Sequence, residues 1–298
     1  MKRFHRRCRR LCILAALLVL LVLFLRQNVL LDTASRHAIL LDAQSGQVLA
    51  QKRADERTAP ASLTKMMTIL LAIETEPDLD KQVTLPEDIF PALQTEKASM
   101  AGFAPGETVT VRDLLYGAML PSGAECCIAL ADTISGSEAD FAELMNKKAR
   151  KLGMENTNFC DSTGLHNPDH YSTVKDIAVL MKYCIKNDTF REIVETSRHS
   201  TGVTNIHPDG ITYYSTMFKN LSDPTVTGGK ILGGKTGYTS EAGHCLVSFA
   251  EIEGREYIFV SAGASGADGN TIPHIQDAVT VYNRVGAAIE AKMNNNNK

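Results

Sequence analysis

The sequence predicts an α+β fold, in which an antiparallel sheet is flanked by helices and stands beside an all-helical lobe. Three observations predict it. Two short apolar runs around a turn open the body of the chain, segments with helical periodicity fill its middle, and a strand-rich block punctuated by glycines comes late. A first hairpin and late strands that bracket a long helical insert join most economically in one sheet.

The elements follow in order. Residues 1–35 form a basic N-terminus and a signal or anchor segment. Lys2, Arg3, Arg6, Arg7, Arg9 and Arg10 precede an unbroken apolar run, Leu11 to Leu25, which ends at Arg26 and Gln27. The run is shorter than the roughly 20 residues a typical span needs, so both a cleaved signal peptide and an uncleaved anchor fit it. The anchor is favoured because no small-x-small site follows promptly and Thr33-Ala34-Ser35 is a poor cleavage candidate. With the basic end inside, the body is expected at the extracytoplasmic face of the cytoplasmic membrane, or secreted if the segment is cut.

Residues 36–293 form the main domain, with 36–60 and 230–293 as a sheet lobe and 61–229 as a mainly helical lobe. Ala38 to Asp42 and Gln47 to Gln51 read as a hairpin around Ser45-Gly46. Ser62 to Thr75, Val111 to Leu120, Glu125 to Ile134, Glu138 to Leu152 and Thr173 to Lys186 read as helices. Gly233 to Tyr238, Cys245 to Ile252 and Tyr257 to Ala262 read as strands, separated by turns near Gly243 and Gly254. A last helix is expected from Ile272 to Met293, and residues 294–298 form a polar tail not expected to be ordered.

Composition bounds the function. The 298 residues are 44% hydrophobic with a formal net charge of -3, ample for a core and without the basic footprint of a nucleic-acid binder. There is no phosphate-cradling glycine loop. Of seven cysteines, Cys8 and Cys12 belong to the N-terminal segment; Cys126, Cys127, Cys160, Cys184 and Cys245 lack metal-ligand spacing and read as small buried hydrophobes. No disulfide pair can be picked from the sequence.

Chemistry enters with Ser62-Leu63-Thr64-Lys65. A serine and a lysine three residues apart share one face of a helical turn. Met66, Met67, Ile69, Leu70, Leu71, Ala72 and Ile73 follow without a polar stripe, as in a helix buried on all sides. Desolvation lowers an ammonium pKa, so Lys65 can serve as the base for Ser62. Ser172-Thr173-Val174-Lys175 has the same spacing, but Thr173 and Asp176 resemble a capping box and Lys175 falls on a polar face. Taken singly, Ser122 between Pro121 and Gly123 reads as a turn or cap serine, and Lys235-Thr236-Gly237 as a strand end. His170, Asp161 and Asp176 read as loop or cap residues.

Taken together, these pieces resemble the serine D-alanyl-D-alanine carboxypeptidases, the low-molecular-weight penicillin-binding proteins. The likeness runs from about Arg36 to Ala291. It includes Pro60-Ala61-Ser62-Leu63-Thr64-Lys65-Met66-Met67-Thr68, Asp113-Leu114-Leu115-Tyr116-Gly117 with Leu120-Pro121-Ser122-Gly123, Gly164-Leu165 followed by His170-Tyr171-Ser172-Thr173, and Lys235-Thr236-Gly237.

The resemblance implies a β-lactamase/transpeptidase-like fold and an acyl-enzyme on Ser62 with Lys65 as base. It further implies a proton relay through Ser122 and a carboxylate grip by Lys235 and Thr236 within the Lys235, Thr236, Gly237, Tyr238 strand. The backbone N–H groups of Ser62 and Tyr238 are implied as the oxyanion hole. The expected substrate is a bacterial peptidoglycan stem peptide ending in D-Ala-D-Ala, with β-lactams as covalent inhibitors. No metal or organic cofactor is implied, because a Ser-Lys pair supplies both nucleophile and base.

Two departures set expectations. Where the family usually has asparagine two residues after the second serine, this chain has Ala124, which can make no side-chain hydrogen bond. A carboxylate at Glu125 stands next in line to compensate by position, as acceptor only. Relatives often continue into a β-rich second domain and an amphipathic membrane-binding helix, whereas little sequence follows the last expected helix here, so anchoring is expected to fall to the N-terminus. The rival readings are a β-lactamase-like hydrolase, for which no Glu-x-x-Leu-Asn-like signature is present, and a weakly active or noncatalytic homologue, made thinkable by Ala124.

Overall fold

Strand β1 (His37–Asp42) turns back into β2 (Val48–Lys52) through Ser45-Gly46, where the Asp42 carboxylate accepts the Ser45 N–H and hydroxyl at 2.7 Å each. An aspartate that bonds the backbone it precedes favours a turn over a continued strand. This is the first hairpin of a computed structural model that describes residues 31–221, 223–266 and 272–296. Leu11 to Leu25 lies outside the described residues.

Three long strands close the sheet late in the chain: β8 (Gly229–Thr239), β9 (Gly243–Ile252) and β10 (Arg255–Ala264). With the short β7 (Thr225–Val226) they give the antiparallel order β2-β1-β10-β9-β8-β7. The N-terminal hairpin therefore docks on the last strand, with Leu40 opposite Phe259. Alternate residues serve opposite cores. Ile39, Leu41, Val247, Phe249, Ile258 and Val260 face the helical lobe. Leu40, Leu246, Ala250 and Phe259 face the C-terminal helix. Both faces being covered explains why these strands read as apolar runs without polar alternation.

The first segment of the helical lobe is a 3-10 turn, Ala61–Thr64, that runs into α1 (Lys65–Thr75). Every residue from Lys65 to Ala72 is buried, which is the environment its unstriped sequence requires. Around it stand α2 (Phe90–Thr95), α3 (Val111–Met119), α4 (Ala124–Ser135), α5 (Glu138–Leu152), α6 (Val174–Cys184) and α7 (Asp188–Glu195). Side chains at their starts accept N–H groups that a helix leaves orphaned: Thr110 from Asp113, Ser137 from Asp140 and Thr173 from Asp176. The Thr173 cap and the exposed Lys175, paired with Asp55 at 2.7 Å, match the reading of the second Ser-x-x-Lys as a surface helix start.

Several expectations are corrected. The helix proper begins at Lys65, because Ser62 lies in the 3-10 turn ahead of it. Strand β8 begins at Gly229, ahead of the Gly233 expected, and passes an irregularity between Ile231 and Gly233 that hides its periodicity. Two small hairpins, β3 (Gln82–Thr84) with β4 (Thr108–Thr110) and β5 (Arg198–Ser200) with β6 (Thr212–Tyr214), were not expected, since strands this short show no alternation. A short helix, α8 (Thr216–Asn220), precedes β7. The final helix, α9 (Pro273–Asn296), continues into the asparagine run, because propagating an established helix costs little per residue. Cys126, Cys127, Cys184 and Cys245 are buried, Cys160 is half-buried, and all five are free thiols. Among the described residues no helix is long and apolar enough to cross a membrane.

Ahead of β1, the Asp277 carboxylate of α9 accepts the N–H groups of Ala34 and Ser35 at 2.8 and 2.9 Å and the Ser35 hydroxyl at 2.6 Å. Asp277→Ala orphans these donors and is expected to destabilise the protein by about 2 kcal/mol, read as a lower denaturation midpoint at unchanged slope.

Candidate active site

Where the open half of β8 meets the 3-10 turn, the two lobes form a cleft of about 490 Å³ lined by Ser62, Lys65, Ala124, Thr163, Gly164 and Tyr238, with Glu96, Lys97, His166 and Glu241 toward its mouth. Strand β7 pairs with the start of β8, and among the described residues no strand covers Lys235 to Thr239 on that edge. Gly237 makes the approach possible. A Cβ there would sit 3.0 Å from the Ser62 nitrogen and 3.2 Å from the Ala61 Cβ.

Ser62 and Lys65 come together as their spacing requires, with Nζ 3.1 Å from Oγ. The same amine donates to the Thr163 carbonyl at 2.6 Å. Burial pushes the Lys65 pKa down, and the charge tendencies of Cys127, Asp161, Glu125 and Cys126 only partly oppose it. A neutral amine has two N–H bonds and one lone pair; Thr163 takes a donor and the lone pair is free to receive the Ser62 proton. The Ser62 N–H precedes the first hydrogen-bonded N–H of the turn, that of Leu63 to Pro60, and is left for a ligand.

A second pair faces the first. Lys235 Nζ lies 2.9 Å from Ser122 Oγ and 2.9 Å from the Thr236 carbonyl. Ser122 and Lys235 are both buried, and neither is among the residues that line the cleft. Ser122 has φ of 70° and Ala61, just before Ser62, has φ of 49°. Non-glycine residues in this region carry backbone strain, and both stand next to a serine hydroxyl in the site. Burial first, and the charge of Lys65 second, push the Lys235 pKa well down. Two ammonium groups so placed disfavour each other, so the site is short of negative charge until an anion arrives.

Thr236 Oγ1 is hydrogen-bonded to Thr216 Oγ1 at 2.7 Å, a partner on α8 that no motif marks. Tyr238 is 62% exposed and its ring lies 4.7 Å from that of His244, leaving the backbone of β8 as its contribution to the cleft wall.

Glu125 does not take over from the missing asparagine. Its Oε1 turns away and accepts the N–H groups of Ala101 and Gly102 at 2.6 and 2.9 Å, while Oε2 has no hydrogen-bond partner among the described residues. The loop above α4 competes for the carboxylate and wins it. Burial raises the Glu125 pKa against those two hydrogen bonds. A carboxyl whose folded pKa is raised binds its proton more tightly when folded, so its contribution to stability falls as pH rises from 4.5 through the raised value. Glu125→Gln keeps the acceptor oxygen without the charge and is expected to remove this pH dependence and raise the melting temperature at neutral pH. Glu125→Ala is expected to lower it.

Comparison with known proteins places this geometry. The D-alanyl-D-alanine carboxypeptidase family profile matches residues 25–266. The chain is 35% identical over 236 residues to D-alanyl-D-alanine carboxypeptidase DacF of Bacillus subtilis (strain 168), covering 78% of this chain and 58% of that protein. It therefore spans little more than half the length of that relative. It is 34% identical over 252 residues to the D-alanyl-D-alanine carboxypeptidase of Streptomyces sp. (strain K15), covering 82% of this chain and 84% of that one. The crystal structure of the Streptomyces K15 DD-transpeptidase aligns with a TM-score of 0.77 at 30% identity, over 86% of this chain and 98% of its own. The chain belongs to the D-alanyl-D-alanine carboxypeptidase family.

Proposed function

We propose that the chain is a serine-type D-Ala-D-Ala carboxypeptidase, removing the terminal D-alanine from peptidoglycan stem peptides through an acyl-enzyme on Ser62. The observation that carries this reading is the Lys65 amine, buried and 3.1 Å from the Ser62 hydroxyl.

The steps follow from the geometry. Ser62 Oγ attacks the carbonyl between the two D-alanines while its proton passes to Lys65 Nζ. The developing oxyanion is received by the Ser62 and Tyr238 N–H groups, each such donor typically contributing about 3 kcal/mol. The C–N bond then breaks as the proton that Lys65 took from Ser62 is relayed through the hydroxyl of Ser122, which is bonded to Lys235, to the departing amine. The free carboxylate of the terminal D-alanine meets Lys235 and Thr236, supplying the negative charge that two buried amines lack and favouring an ammonium at Lys235 whose proton comes from solvent on binding. Water adds to the acyl-enzyme, and the ester breaks to free the shortened peptide and Ser62.

β-Lactams enter the same sequence as covalent inhibitors. Slow release is expected, because Asp161 Oδ1 and Glu125 Oε1 are held by backbone N–H groups and neither residue lines the cleft beside Ser62. This disfavours a β-lactamase. A second reading has one observation for it: the likeness to a protein named a DD-transpeptidase supports transfer of the acyl group to an amine in place of water. The basic N-terminus and Leu11 to Leu25 support export, with the body at the outer face of the cytoplasmic membrane or secreted.

Intact-mass analysis after exposure to a labelled penicillin is expected to give one long-lived adduct, mapped to Ser62 and lost in Ser62→Ala. The wild-type protein is expected to release D-alanine from a D-Ala-D-Ala peptide, and an added amino acceptor reports the transfer reaction. Rapid penicillin turnover or an unmodified Ser62 would overturn the proposal. Ala124→Asn is expected to raise the acylation rate about tenfold, the worth of one hydrogen bond near 1.4 kcal/mol. An unchanged or reduced rate would show that Ala124 is no handicap.

A further inference from the structure

Behind Lys65 lies a buried polar unit that the acylation steps above do not use. Asp161 Oδ1 accepts the Thr163 N–H at 2.8 Å, the Thr163 hydroxyl at 2.7 Å and the Gly164 N–H at 2.6 Å. These bonds hold the peptide whose carbonyl, that of Thr163, takes the Lys65 amine at 2.6 Å. Asp161 Oδ2 lies 3.0 Å from Nδ1 of His170, and Nε2 of that ring lies 2.9 Å from the hydroxyl of Thr64, the residue preceding Lys65. The chain of contacts is therefore closed: it leaves Lys65 through Thr163, passes Asp161 and His170, and returns to the same turn at Thr64. Gly164 seals it, since a Cβ there would fall 1.9 Å from the Ala61 carbonyl oxygen and 2.8 Å from Thr64 Oγ1.

Burial opposes ionisation of Asp161, but the hydrogen bond and charge of His170, with the Thr163 and Gly164 donors, outweigh it and hold the carboxyl at about 2. An ionised Asp161 keeps a proton on Nδ1, facing the carboxylate, while Nε2 shares a hydrogen with the Thr64 hydroxyl. The side of Nδ1 that approaches the Cys160 N–H at 3.2 Å then makes no hydrogen bond of its own.

We propose that Asp161 and His170 are a positioning pair for Lys65: together they fix the Thr163 carbonyl as its acceptor and present the carboxylate whose charge favours the ammonium formed when Ser62 gives up its proton. This rests on the acyl-enzyme reading for its catalytic consequence, not for the contact itself. Other ionisable groups face Lys65 from each element around it. Cys126 and Cys127 on α4 are thiols that burial raises, Cys127 to about 12, and so are uncharged at neutral pH. Glu125 on α4 is committed to the 101–102 loop, and Lys235 on β8 repels a second ammonium. Asp161 alone of these is joined to Lys65 by a continuous run of hydrogen bonds through Thr163.

Asp161→Asn preserves an acceptor for the Thr163 and Gly164 donors and removes the charge. The titration of Lys65 followed by ¹³C NMR in lysine-labelled full-length protein, and the acid limb of the pH profile for acylation by a penicillin, are both expected to move down by about one unit in this variant. The rate on the plateau is expected to fall. His170→Asn, whose amide can reach Asp161 from the Nδ1 position, is expected to keep the wild-type titration; His170→Ala is expected to lower the plateau rate severalfold. A Lys65 titration that is the same in Asp161→Asn as in wild type would overturn the pair, as would an unchanged plateau in both Asp161→Asn and His170→Ala. A shifted titration in a protein whose wild type is not acylated would retain the pair and remove the acyl-enzyme reading.

Discussion

Burial of the Lys65 amine beside Ser62 is the constraint from which the rest of the architecture follows, because an ammonium keeps its proton in water and yields it where solvation is withdrawn. A lysine is among the costliest residues to bury, and a single packed layer cannot dry both sides of a helix. Here α1 is enclosed on all faces, with eight consecutive residues from Lys65 to Ala72 buried between the helical lobe and the sheet. The same enclosure dictates where the reactive pair must lie. Only at the first turn can Ser62 face a cleft while Lys65 remains inside.

The opposite wall answers the charge problem this creates. Lys235 is as buried as Lys65, and each disfavours protonation of the other. Ser122 accepts from Lys235 at a strained backbone position, and the bare edge of β8 brings Gly237 against Ser62. The arrangement is incomplete in charge and complete in hydrogen-bond geometry. That combination fits the proposed substrate, with its free carboxylate at the end that meets Lys235 and its electrophilic carbonyl near Ser62.

Much of this was legible in the sequence, and the parts that were not share a cause. The apolar stretch after Lys65 announces a buried helix, and the order of Ser62, Ser122 and Lys235 along the chain announces their convergence. Side chains carried those signals. The acceptor for Lys65 is a backbone carbonyl, which any residue at 163 would supply, so no residue type marks it. Asp161 and His170 sit in a loop rich in turn-forming residues, where a carboxylate and an imidazole read equally well as loop chemistry. Glu125 misled because its sequence position says nothing of the loop at Ala101 and Gly102 that claims it. The short hairpins stayed hidden because three residues are too few to show a period.

Ala124 can be argued from the same proton count. A neutral amine offers two N–H bonds and an ammonium three, so each acceptor added around Lys65 favours the charged form. Its hydrogen-bond partners among the described residues are Ser62 Oγ and the Thr163 carbonyl, and the methyl group at 124 adds none. The result is a lysine that is more readily neutral at rest and a weaker base when it must take the proton. Catalysis depends on stabilising the state formed in the transition state more than the state at rest, so the missing acceptor is felt mainly in the rate of acylation. It also removes bulk from the cleft wall beside Ser62, where Ala124 lines the space that an arriving acyl group fills. Under the proposed mechanism, a slower acylation and a roomier acyl site are thus the two effects expected of one methyl group. The fixed carbonyl of Thr163 and the carboxylate behind it become the main support for the ammonium.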